Sequence, residues 1–115
     1  MNVKYERQLK KGVLEILVLQ LLSQKRMYGY QLIVEMKEKS QGLFEMKEGT
    51  LYPILYRLED DELVKSEWSE PKDKEVSRKY YVITKQGNEV LKELKLLWGN
   101  FSKTVNDMLG DDCYE

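Results

Sequence analysis

The residues best suited to engaging a charged partner lie in two stretches. In EGTLYPILYRLE, residues 48–59, Leu51, Ile54, Leu55 and Leu58 recur at the three-and-four spacing of an amphipathic helix. That spacing predicts a helix whose other side presents Thr50, Tyr52, Tyr56 and Arg57. The Thr50 hydroxyl and the N–H groups of a first helical turn can hold a phosphate. Tyr52 can donate a hydrogen bond and pack on a sugar or a thymine methyl, and Arg57 can meet a backbone phosphate or pair bidentately with guanine. The second stretch runs from Lys72 and Lys74 to Arg78 and Lys79, with only Asp73 and Glu75 opposing its charge. Arg78 and Lys79 precede Tyr80 and Tyr81, an order that puts basic heads beside aromatic rings on both faces of a strand. A further positive group, Lys4, Arg7, Lys10 and Lys11, stands near the N-terminus. The same residues also fit a plain amphipathic helix with half-buried tyrosines and a solvated charged loop.

Composition removes other chemistry. Histidine is absent and cysteine occurs once, at Cys113. His-based acid–base catalysis, thiolate zinc clusters and an intrachain disulfide are thereby excluded. There is no nucleophile constellation and no phosphate loop, so no enzyme activity is expected, and no cofactor or metal. The run EDDE, 59–62, places carboxylates consecutively at a helix end, where they diverge instead of converging on an ion. With a formal net charge of −1 over 115 residues, affinity for phosphate must come from local clustering. MNVKYERQLKK lacks the apolar core of a signal peptide, and GVLEILVLQLL falls short of the about 20 residues that span a bilayer. A cytoplasmic protein without a membrane partner is the expectation.

The elements that must position these residues follow in order. GVLEILVLQLLSQ, residues 12–24, is apolar on nearly every side, so it predicts a helix buried by its own domain and by something else. KRMYGYQ breaks that pattern at Gly29, and YQLIVEMKEK resumes it with Leu32, Ile33 and Met36 inward. The third helix, of ten to twelve residues, begins near 48–50, because Pro53 is accommodated without loss only in a first turn. LVKSEWS and RKYYVIT read as a β-hairpin that leans on the helices. Thr84 caps a last helix over about 86–109, along which Val90, Leu94, Leu97, Trp98, Phe101, Val105 and Met108 form one stripe. The fold class is mainly α with a small β-hairpin: a winged helix-turn-helix over 1–85, a C-terminal dimerisation helix over 86–110, and a frayed tail over 111–115. In that plan the third helix enters a major groove and the wing grips phosphates. A winged helix used for protein–protein contact is the alternative, favoured by the low net charge. Leu94, Leu97, Trp98, Phe101, Val105 and Met108 have no intrachain surface left to cover them and are the expected dimer interface.

Four stretches in order, GVLEILVLQLL, YGYQLI, EGTLYPILYRLE and RKYYVIT with its following KQG, carry a resemblance over nearly the whole chain. The sequence resembles the PadR-like transcriptional regulators, in their short subfamily with a single C-terminal helix. The resemblance implies a homodimer that binds an inverted-repeat operator in double-stranded DNA, mostly as a repressor released by a small molecule. Some multidrug-sensing members hold flat aromatic ligands in an apolar pore at the dimer centre, lined by a tryptophan of the last helix. Trp98 stands in the matching place, and by the same alignment Gly12, Glu15, Ile16, Leu19 and Leu97 would face the pore. A stripe tryptophan that is simply interface fits Trp98 equally well. Glu15, a carboxylate in an apolar helix, could meet a cationic ligand or reach water at an edge.

Overall fold

In a computed structural model the described residues are 3–70 and 76–110. Four helices and three strands follow one another: α1 (Val3–Leu22), β1 (Met27–Tyr28), α2 (Gly29–Lys39), α3 (Glu48–Asp60), β2 (Val64–Trp68), β3 (Lys79–Ile83) and α4 (Lys85–Leu109). The expected helices are present, with two differences. α1 begins nine residues earlier than the apolar run, because its polar first half is locally supported. Lys10 Nζ lies 2.6 Å from Glu6 one turn away, which holds the Glu6 carboxyl below its usual range. α3 begins at Glu48, which puts the exposed Pro53 in the second turn, not the first. Its missing N–H therefore leaves the Gly49 carbonyl without a helical donor.

The wing has three strands where the sequence predicts two. Antiparallel β2 and β3 pair from Val64 with Ile83 to Trp68 with Lys79. β1 adds to the other edge of β3, Met27 opposite Tyr81 and Tyr28 opposite Tyr80, giving the order β1-β3-β2. Two residues are too few to show an alternating pattern, so β1 reads in the sequence as a break. Its effect is to make Tyr81 central. Met27, Ser66 and Tyr81 form one cross-strand row facing the helices, and Tyr81 is 1% exposed. Burial, then the neighbouring Tyr56, Glu59 and Tyr52, push its phenol up to about 12.

A single core joins these layers. Val18 and Leu19 of α1, Leu32 of α2, Leu51 and Leu55 of α3, Met27 and Tyr81 are all buried together. α1 is not buried all round: Val13, Ile16 and Leu17 are half-buried, and Leu9 and Gly12 are exposed. α4 is anchored at its start. The Thr84 hydroxyl accepts from Gly87 N at 2.9 Å, as expected of a cap, and also donates to Glu62 O at 2.7 Å. At Gly87 the helix passes so close to Leu63 that any Cβ would collide with its carbonyl. Leu91 is buried; beyond Leu94 the helix leaves the core and projects. The radius of gyration, 16.4 Å, exceeds the roughly 13 Å of a compact chain this long.

Candidate nucleic-acid interface

α3 lies with Leu51, Ile54, Leu55 and Leu58 in the core. Its open side carries Gly49, Thr50, Pro53, Tyr56, Arg57 and Asp60, all exposed. Thr50, Tyr56 and Arg57 are thus where the sequence expects them. Tyr52 is not. It is half-buried, packed on the core edge, with its ring against Gly29 at the start of α2. A side chain at Gly29 would displace that ring, which gives the glycine of YGYQLI a packing role; the approach spans 23 residues of sequence and is not legible from either stretch. Gly49 and Pro53 keep the first half of the open face low in relief, and a Cβ at Gly49 would meet nothing within 4 Å. The helix's N-cap, Lys47, makes no side-chain cap hydrogen bond to the first-turn N–H groups.

A groove of about 710 Å³ separates the first half of α1 from the first turns of α3. Arg7, Lys10, Lys11, Lys47, Thr50 and Arg57 line it, with Glu6 and Glu45. Lys10 is paired with Glu6, and Arg57 with Glu15. Arg7, Lys11 and Lys47 have no ion-pair partner among the described residues. Arg7, Lys10 and Lys11 of the N-terminal positive group therefore border the open face of α3, because α1 is longer than its apolar run. Lys47 escapes sequence reasoning, since nothing in FEMKEG marks it as adjacent to residues 7 and 11.

On the wing, Lys79 opens β3 and Arg78 immediately precedes it, and their side chains lie on opposite faces of the sheet, as their alternation predicts. The Lys79 Nζ lies 5.5 Å from the Tyr81 ring centroid on the helix side. Arg78 lies 4.7 Å from Tyr28 on the outer side. There the Tyr28 and Tyr80 rings meet edge to face at 5.5 Å, and Arg26 lies 4.3 Å from Tyr80 while pairing with Glu67 at 2.6 Å. The result is an ordered row of Arg78, Tyr28, Tyr80 and Arg26, to which β1 contributes a ring and its preceding arginine. Its signal in the sequence is the alternation of β3 alone; Arg26 and Tyr28 stand in the stretch read as a break. Lys72 and Lys74 lie outside the described residues.

The residues expected to face an effector divide. Leu19 is 0% exposed, packed into the core of its own chain, so it cannot face a pore; in the sequence, an all-round apolar helix gives no sign of which leucine points inward. Glu15 is taken by Arg57 and is not an open carboxylate. Gly12 is exposed, Ile16 half-buried, and Leu97 and Trp98 are exposed on α4. From Leu97 onward the stripe is bare: Leu97, Trp98, Phe101, Val105 and Met108 are all at least 46% exposed, whereas Leu94 packs against the core.

Three helices, a wing of three antiparallel strands and a basic border around an exposed third helix define the winged-helix class of DNA-binding regulators. Residues 18–93 match the family described as "Transcriptional regulator PadR-like family", and the chain belongs to that family. PadR-like proteins are transcriptional regulators that bind DNA, and are not enzymes. A transcriptional regulator from Clostridium thermocellum is similar at 30% identity and a TM-score of 0.81, over 87% of this chain and 96% of its own. A PadR-like transcriptional regulator from Bacillus cereus is 38% identical, with a TM-score of 0.75 over 90% of this chain and 97% of its own. An uncharacterised protein of Lysinibacillus sphaericus is 32% identical over 84% of this chain and 87% of its length. Among the described residues no helix is long and apolar enough to cross a membrane.

Proposed function

We propose that the protein is a repressor that binds an inverted-repeat operator as a homodimer, with α3 in the major groove and the wing on flanking phosphates. The observation that carries this reading is the setting of α3. An exposed face of Thr50, Tyr56 and Arg57 is bordered by Arg7, Lys11 and Lys47, which have no ion-pair partner among the described residues, while on the wing Lys79 lies over Tyr81, a neighbour of Tyr56, and Arg78 stands on the outer side of the sheet. Phosphate contacts from the border set the register, and the α3 face reads bases. Local clustering thereby supplies the affinity that a net charge of −1 does not. Dimerisation is assigned to the second half of α4, where the stripe residues Leu97, Trp98, Phe101, Val105 and Met108 are all at least 46% exposed. Release by a small aromatic or drug-like effector is assigned to the same region, at Trp98 and Leu97 with Gly12 and Ile16 of α1.

The experiment is a titration of the protein with a duplex from its own promoter at rising salt, with and without a cationic aromatic dye. Wild-type affinity should fall steeply with salt, and Arg78→Ala should weaken binding with a slope shallower by about one. The dye should weaken operator binding and quench Trp98 in a Trp68→Phe background. A salt-independent interaction would remove the DNA reading; an operator affinity indifferent to the dye, without quenching, would count against the effector site.

A further inference from the structure

Arg57 does not hang free from α3. Its Nε, at 3.0 Å, and its Nη2 both donate to Oε1 of Glu15 on α1. The partners are 42 residues apart, so the contact is tertiary and ties the open face of α3 to the first helix only through this fold. Two donors on one oxygen fix the plane of the guanidinium. A guanidinium has five N–H groups in a rigid fork. Glu15 occupies the side formed by Nε and Nη2, which leaves the end of the fork, one N–H from each terminal nitrogen, directed away from the carboxylate. That end matches two adjacent acceptors, as on the O6/N7 edge of guanine. Both side chains are substantially exposed, so the pair sits where a duplex on the α3 face can reach it, beside the groove that Arg7, Lys11 and Lys47 line.

We propose that Glu15 is a positioning residue for DNA recognition: it holds Arg57 in the orientation that reads a guanine and cancels the charge that would otherwise bind any phosphate. The inference rests on α3 being the DNA-contacting helix. It gives Glu15 a role on the DNA side of the protein, not in an effector pore. As a neutral pair, Arg57 and Glu15 add little to the salt-dependent, sequence-blind part of binding and act on discrimination. Freed from Glu15, Arg57 becomes one more mobile cation.

The test compares wild type, Glu15→Gln, Arg57→Gln and the double variant on an operator duplex and a non-operator duplex of equal length, across salt. Glu15→Gln should bind the non-operator duplex more tightly, with a salt slope steeper by about one. Its preference for the operator should drop about ten-fold, the order of one good base contact. The double variant should discriminate no worse than Arg57→Gln alone, because the two residues act as one unit. Thermal melting of each variant separates this from a structural role, which would lower the midpoint and leave the preference unchanged. If Arg57→Gln loses discrimination and Glu15→Gln does not, the positioning role is overturned while α3 remains the reading helix. If Arg57→Gln binds both duplexes as wild type does, the assignment of this α3 face to DNA fails, and the role of Glu15 with it.

Discussion

The two halves of α4 share one apolar stripe and differ in everything around it. The first half is locked: Thr84 caps it, Gly87 lies under the Leu63 carbonyl, Leu91 is buried and Leu94 packs on the core. The second half has the same spacing in Leu97, Phe101, Val105 and Met108, all exposed. The period of a stripe therefore says that a helix has a side to bury, and the fold alone says how much of that side its own domain covers. Here the domain's core ends near Leu94. What lies beyond is exposed apolar surface, the part of α4 to which the proposed dimer contact is assigned.

Substitutions along α4 sharpen this contrast. Leu91→Ala should have the largest effect on the folded domain, about 2–5 kcal/mol, because it opens a cavity in the core. Urea unfolding followed by circular dichroism would measure it; a cost below ~1 kcal/mol would mean that α4 is less firmly anchored than its burial indicates. Thr84→Ala should cost about 1 kcal/mol by removing the cap, read as a smaller shift of the same midpoint. An unchanged midpoint would show that the backbone of Ile83–Lys85 fixes the helix start unaided.

The legible parts of the molecule are those written in local chemistry. The Thr84 cap, the inward leucines of α3 and the opposite faces of Arg78 and Lys79 each follow from neighbours within one element. What stays hidden depends on approach between distant segments. Tyr52 lies on the flank of α3 that α2 reaches, so the proximity of Gly29, and not helical period, turns its ring inward. Leu19 and Ile16 look alike in an all-apolar helix, and only packing divides them into core and edge. The ion pair of Glu15 with Arg57 joins two residues that the sequence assigns to different sites. β1 is too short to announce itself, yet it supplies Tyr28, against which Arg78 is stacked.

Sedimentation equilibrium of wild type and Phe101→Glu, with and without the promoter duplex, tests whether the exposed half of α4 completes a DNA-binding dimer. Wild type should sediment at twice the 13.7 kDa chain mass and bind the duplex as a dimer, and Phe101→Glu should sediment as a monomer and lose the duplex. A wild-type monomer that binds its promoter, or a Phe101→Glu variant that stays dimeric with full affinity, would contradict that role of α4.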